Sequence, residues 1–174
     1  ALTGAAVDKE RGLVSLIVLM MGGSSDICAT LKEGEQVVLM GPTGTPTHLP
    51  ERQTVMLVGG GLGNAVLFSI GKALRERGCQ VLYFAGYRNI GSMYKLDEIE
   101  AAADIVVWCA DDAKPSVRRA NDYSWHGNIV EAITAYGDGR LGRRQIELDK
   151  IEHIITIGSD LMMQAVVHAR YNGL

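Results

Sequence analysis

Cysteine is scarce in this sequence, with only Cys28, Cys79 and Cys109 at widely separated positions. An odd, scattered set excludes a disulfide framework and a CxxC zinc site. It also argues against an iron–sulfur centre held by this chain alone, which would need a full set of thiolates. The four histidines show no metal-ligand spacing. We therefore expect no metal site, and free thiols favour a cytoplasmic location.

Long hydrophobic runs and an excess of positive charge are also missing. The longest apolar stretch, residues 13–21, is interrupted by Ser15 and is too short for a membrane span of ~20 residues. No basic segment precedes it, as one would in a signal peptide. Lys plus Arg number 17 and Asp plus Glu number 20, so the formal net charge is −3. We therefore expect neither nucleic acid nor a membrane surface as a partner.

Glycine is abundant, with 21 of the 174 residues, while the apolar share of 47% is that of an ordinary globular protein. The glycines follow no Gly-X-Y period and cluster at a few points. Such clusters are typical of tight turns where the backbone approaches a ligand.

The chain divides into two regions near residue 50, because three of its four prolines, Pro42, Pro46 and Pro50, lie together between apolar segments. Before this point the patterns predict strands at 13–20 and 35–40 and a short helix at 26–31. After it they predict strands at 54–58, 80–85, 105–109 and 153–157, helices at 64–77, 94–103, 126–136 and 160–171, and an irregular segment at 111–125. Apolar strands alternating with helices indicate an α/β fold with a parallel sheet covered on both faces.

The strongest motif is the strand, glycine turn and helix of residues 55–74, VMLVGGGLGNAVLFSIGKAL. Glycines let the backbone approach a pyrophosphate, and the following helix N-terminus offers N–H groups and the positive end of its dipole. We predict pyrophosphate contacts at Gly59, Gly60, Gly61, Gly63 and Asn64. The alternative is a turn that only lets a helix pack closely on a strand.

The acidic residue that a simple Rossmann domain carries after its second strand is absent, because that strand ends in residues 86–89, GYRN. Arg88 is therefore predicted near the adenosine ribose or phosphate, or else is an ordinary surface arginine. Asp111 and Asp112 follow the next strand, where they would hold a ribose or the nicotinamide amide, or are solvated loop acids. Arg118 and Arg119 would grip a 2′-phosphate, or form a surface pair.

Five segments in order resemble motifs of the ferredoxin–NADP reductase superfamily. They are GGSS at 22–25, GPTGTP at 41–46, GGGLGNA at 59–65, GYRN at 86–89 and IGSDLMM at 157–163. In that family they correspond to the FAD-pyrophosphate turn, the GPxG segment, the nucleotide turn, the GxRN segment and the terminal CGPxxMM. The most similar branch comprises the electron-transfer subunits of dihydroorotate dehydrogenase and of NADH-dependent ferredoxin:NADP oxidoreductase, also called sulfide dehydrogenase.

The resemblance implies a five-stranded, parallel, doubly wound NAD(P)-binding domain at 51–174, preceded by the C-terminal part of an FAD-binding β-barrel at 1–50. It further implies that FAD and NAD or NADP are the cofactors, and that hydride passes from NAD(P)H to FAD and then, as electrons, to an iron–sulfur protein or a catalytic subunit. In that family most of the barrel precedes these motifs and the [2Fe–2S] cysteines follow the last helix, so the chain resembles a fragment. The alternative is a non-catalytic nucleotide-sensing or scaffolding subunit.

Site residues also follow from the resemblance. The FAD side would comprise Thr3, Gly22, Ser24 and Ser25, and the nicotinamide side Gly41, Pro42, Thr43, Gly158, Ser159 and Met162. Core packing is the alternative role for Met162. The sequence departs from the family at Val66, where a proline is usual, and at Ile157, where the family has a cysteine beside the nicotinamide. The second departure favours the sensing alternative.

Overall fold

The computed structural model describes residues 2–41 and 43–171, which form two sheets and five α-helices. The strands are β1 (Leu2–Asp8), β2 (Leu13–Val18), β3 (Thr54–Gly60), β4 (Gln80–Tyr87), β5 (Ile105–Ala110), β6 (Tyr123–His126) and β7 (His153–Ile157). The helices are α1 (Ser24–Cys28), α2 (Asn64–Glu76), α3 (Leu96–Ala101), α4 (Ile129–Gly137) and α5 (Asp160–Tyr171). None of these helices combines the length and the apolar character needed to cross a membrane.

The larger sheet is five-stranded and all-parallel, with the order β6-β5-β4-β3-β7. Its central strands are apolar runs that are buried on both faces, as expected for a parallel sheet. One face packs against α2 and α3 through residues such as Leu67 and Ile99. The other packs against α4 and α5 through residues such as Ile133 and Val166. The predicted doubly wound α/β fold is confirmed.

The strand order reverses between β3 and β7. From β3 the chain proceeds through β4 and β5 to β6 at one edge, and α4 then returns it across the sheet to β7 on the other side of β3. A crevice forms at such a switch point, outside the carboxyl ends of the diverging strands, and it is where open α/β sheets bind ligands.

Two predicted elements were wrong. The strand predicted at 35–40 does not form, and its side chains are exposed, with Val38 92% accessible. A strand needs a partner for its backbone hydrogen bonds, and none is provided within the described ranges. The segment predicted as irregular contains β6, whose polar sequence YSWH lacks an apolar run because this edge strand pairs only with β5.

The smaller sheet is an antiparallel hairpin of β1 and β2 whose side chains are mostly exposed. A register shift between Gly4 and Ala6 turns Ala5 inward, where it is buried in the core beside α2. Ile17 packs against the same core. Because an isolated two-stranded sheet is marginal in water, this anchoring to α2 stabilises the hairpin.

Candidate nucleotide site at the strand switch point

The predicted glycine turn lies at the switch point. β3 ends at Gly60, a 3₁₀ turn spans Gly61–Gly63, and α2 begins at Asn64. Gly59 is paired in register with Ile157, the last residue of β7, so the turn and the end of β7 face each other across the crevice. The structure thus puts the glycine motif where the fold forms a ligand cleft.

The glycines of the turn differ in what a side chain would meet at each position. A Cβ on Gly63 would lie 2.2 Å from the carbonyl oxygen of Ile157, so Gly63 permits close packing of the turn on β7. A Cβ on Gly59 would lie 2.1 Å from Oδ1 of Asn64. Gly61, by contrast, has φ +54° and no atom within 4 Å of the point that a Cβ would occupy, so it faces open space. The pyrophosphate contacts predicted for these glycines stay predictions.

Asn64 is buried beneath the turn, where its side chain is fully engaged. Its Nδ2 donates to the carbonyl oxygens of Gly61 at 3.0 Å and Gly86 at 3.4 Å. Its Oδ1 accepts a hydrogen bond from the Tyr83 hydroxyl at 3.1 Å. The Asn64 side chain therefore ties the turn to β4, and the pyrophosphate contact predicted for this residue stays a prediction.

Sequence reasoning missed a group of tyrosines beside the turn: Tyr83, Tyr87 and Tyr94. The Tyr94 hydroxyl lies 3.1 Å from the carbonyl oxygen of Gly61 and 3.3 Å from that of Leu62. The Tyr94 and Tyr87 rings pack edge to face, with centroids 6.0 Å apart. Burial raises the pKa of Tyr94 to about 12 and also raises the pKa values of Tyr83 and Tyr87, so all three are neutral near pH 7. The available signal was the spacing of Tyr83 and Tyr87, which puts them on one face of β4.

Met162 and Ser159 lie at the start of α5, on the other side of the crevice. The thioether of Met162 covers Gly60 and Gly158, because Cβ atoms there would approach its side chain within 2.3 and 2.6 Å. Ser159 Oγ accepts a hydrogen bond from the Met162 N–H at 3.3 Å and so caps α5. Met162 also packs against the core, so it is both a core residue and a part of the crevice wall.

Arg88, Asp111 and Asp112 lie at the same carboxyl edge, after β4 and β5. The Asp111 N–H donates to the Tyr87 carbonyl at 3.2 Å, and the Asp112 carboxylate accepts from the Ile90 N–H at 3.0 Å. These bonds tie the two loops together. Arg88 is exposed and forms no ion pair within the described ranges. Its adenosine role, and the ribose role of the two acids, remain predictions.

Arg118 and Arg119 lie away from this edge. Arg118 pairs with Asp97 at 2.7 Å and Glu100 at 2.8 Å on α3. Arg119 donates to the carbonyl of Ala103, which precedes β5, and therefore lies at the amino end of the sheet. The structure thus favours the surface-pair alternative for Arg118 and gives Arg119 a structural role.

The residues predicted for FAD belong to the hairpin and the turn after it. Thr3 pairs with Ile17 in the hairpin. Ser25 Oγ accepts from the Met21 N–H at 3.0 Å and donates to the Gly22 carbonyl at 2.8 Å, while Ser24 begins α1. FAD contacts at these residues stay predictions. Three residues predicted for the nicotinamide side lie in the proline-containing segment: Gly41 and Thr43 are exposed and irregular, and Pro42 lies outside the described residues. Their nicotinamide contacts also stay predictions.

Within residues 2–41 and 43–171, no group of three or more His, Cys, Asp or Glu side chains is placed to hold a metal ion. The three cysteines are free thiols, and Cys79 and Cys109 are buried.

The five-stranded parallel sheet and its crevice define an α/β domain of the ferredoxin reductase-like fold. A solved NADH-dependent reduced ferredoxin-NADP oxidoreductase, studied for flavin-based electron bifurcation, superposes with a TM-score of 0.76 over 98% of this chain and 55% of that chain, at 24% identity. This likeness confirms the fold.

Sequence relatives identify the branch. The electron transfer subunit of dihydroorotate dehydrogenase B (NAD(+)) from Enterococcus faecalis is 30% identical over 139 residues, 78% of this chain and 49% of that protein. A homolog of this subunit from Thermotoga maritima is 31% identical over 118 residues, 67% of this chain and 42% of that protein. No protein-family model matches the chain.

The chain is thus a relative of these electron transfer subunits, and the resemblance seen in its motifs is confirmed. It spans about half the length of the curated relatives that it matches.

Proposed function

We propose that this chain is the nucleotide-binding part of a flavoprotein reductase. It would bind NADH or NADPH at the switch point and serve the transfer of hydride to FAD, with electrons passing on to an iron–sulfur protein or a catalytic subunit. One observation carries the proposal: the glycine turn leaves open backbone at Gly61, in the crevice of a fold shared with electron-transfer proteins.

The residues present fit a dinucleotide. The turn at Gly61–Gly63 would bind the diphosphate through backbone N–H groups at the positive end of α2. Arg88 would contact the adenosine side, and Met162 with Gly158 would border the nicotinamide. When bound, the reduced nicotinamide supplies a hydride and the flavin accepts it. The chain's own contribution is to bind and orient these groups.

We further propose that residues 1–50 complete a flavin-binding barrel together with a polypeptide segment like the remaining half of the relatives, and that 51–174 form the nucleotide domain. The exposed hairpin and the unpaired apolar segment 35–40 support this division. Both present strand backbone or apolar side chains that another part of a barrel would cover. A cytoplasmic location accords with the free thiols.

Arg88→Ala is expected to weaken binding of NADH to this chain about tenfold, because a charge-assisted hydrogen bond to phosphate is worth ~1.5 kcal/mol or more. Isothermal calorimetry with NADH and NADPH measures the effect. Arg118→Ala is the matched control, since its guanidinium is paired with Asp97 and Glu100, and it should leave both affinities unchanged. Equal affinities for the parent and Arg88→Ala would refute the assignment of Arg88.

A second experiment separates the reductase from the sensing subunit, which the replacement of the family's cysteine by Ile157 favours. A polypeptide extended to the length of the relatives is purified and treated with NADH or NADPH. A reductase is yellow and bleaches as its flavin is reduced. A colourless protein that still binds the nucleotide would establish the sensing role instead.

A further inference from the structure

Two side chains converge on one carbonyl group of the glycine turn. The oxygen of Gly61 accepts hydrogen bonds from the Asn64 Nδ2 at 3.0 Å and from the Tyr94 hydroxyl at 3.1 Å. The same hydroxyl lies 3.3 Å from the oxygen of Leu62. Tyr94 is 33 residues away from Gly61 along the chain, and its hydroxyl therefore fixes the turn from outside the motif.

The direction of these carbonyls sets the direction of the next N–H groups. A peptide unit is planar and trans, so its C=O and N–H bonds point to opposite sides. With the carbonyls of Gly61 and Leu62 held toward Tyr94, the N–H groups of Leu62 and Gly63 point away from it. The N–H of Leu62 has no partner within the 3₁₀ turn, whereas the N–H of Gly63 is used by the i→i+3 bond of that turn to Gly60.

We propose that Tyr94 is a positioning residue for dinucleotide binding, which holds the turn so that the N–H group of Leu62 faces the diphosphate. This inference rests on the proposed function, since it concerns the same site. Tyr94 would act through the backbone and would not itself touch the ligand.

Packing and protonation suit Tyr94 to this role. Its ring is fixed edge to face against Tyr87, so the hydroxyl has one well-defined position. Its pKa is raised to about 12 by burial, so the hydroxyl keeps its proton and remains a donor at physiological pH.

The test compares the parent chain with Tyr94→Phe, using NADH, ADP and adenosine as calorimetric probes. We expect Tyr94→Phe to weaken the binding of NADH and of ADP about tenfold, which is the effect of losing one hydrogen bond of ~1.4 kcal/mol. Adenosine, which has no diphosphate, should bind the two proteins equally. A general loss of fold would instead weaken the binding of all three ligands.

Tyr136→Phe is the matched control. Tyr136 is a buried tyrosine on the opposite face of the sheet, and its hydroxyl donates to the Ile146 carbonyl at 2.8 Å. The Tyr136→Phe variant loses the same kind of hydrogen bond, but away from the crevice. Its affinities for NADH, ADP and adenosine should therefore equal those of the parent. In the parent, NMR should also show that ADP shifts the amide signal of Leu62.

The outcomes are distinguishable. A parent that binds neither NADH nor ADP would refute the proposed function, and this inference with it. A parent that binds both, with Tyr94→Phe unaffected, would refute the inference alone. The positioning role would also be overturned if Tyr94→Phe weakened the binding of adenosine as much as that of ADP, or if the amide signal of Leu62 did not respond to ADP.

Discussion

Gly61→Asp is expected to reduce the affinity for NADH at least 100-fold, the largest effect that a single change in the turn should produce. A carboxylate at Gly61 would enter the open space that we assign to the diphosphate. Two unit charges about 4 Å apart repel by roughly 4 kcal/mol at an effective dielectric constant near 20. Calorimetric titration of NADH measures the loss.

Gly61→Asn is the matched control for this substitution. Asparagine and aspartate have nearly the same shape, and both tolerate the left-handed backbone conformation, φ +54°, that Gly61 adopts. The asparagine variant should retain at least ten times more affinity than the aspartate variant, because it lacks the charge. If the two variants bind NADH equally, the diphosphate does not lie at Gly61.

Arg119→Ala is expected to lower the free energy of unfolding by about 3 kcal/mol, and Tm by roughly 10 °C. Arg119 binds both carboxylate oxygens of Asp122, at 2.7 and 2.8 Å. The Asp122 side chain is fully buried and also accepts from the Val106 N–H at 2.9 Å. Removing the arginine would leave a buried carboxylate without its partner cation. Urea denaturation and thermal unfolding measure the change.

The neighbouring Arg118→Ala provides the comparison. Arg118 also has two carboxylate partners, Asp97 and Glu100, but its guanidinium is exposed, so water replaces the lost contacts. We expect little change in Tm. A similar loss in both variants would show that the burial of Asp122 does not decide the stability of this cluster.

The local parts of the fold and site were predictable because their causes are local. The apolar run at β3, the glycines after it and the periodic face of α2 lie within some 20 residues, and each rule involved acts over one turn or strand. For β7 (His153–Ile157) and α5 (Asp160–Tyr171) the predicted bounds agree with those of the structure.

The features that the sequence did not predict depend on contacts between residues that are distant along the chain. β6 has no apolar run, and it becomes a strand because β5 offers it an edge. Residues 35–40 have a strong strand pattern, and they remain unpaired where the described residues offer no edge. The contact of Tyr94 with the glycine turn was equally unpredictable, since Gly61 lies 33 residues earlier in the chain.

The sequence by itself determined a parallel α/β domain, a glycine turn between strand and helix, and membership of a reductase-like group through motifs in a fixed order. Only the tertiary structure decided that this turn faces β7 across the switch point, that Gly63 permits packing while Gly61 faces open space, and that Arg119 supports a buried carboxylate. The physical reason is that propensity and periodicity act between near neighbours along the chain. Steric fit, burial and hydrogen bonding between distant residues exist only after the strands have been ordered in the sheet.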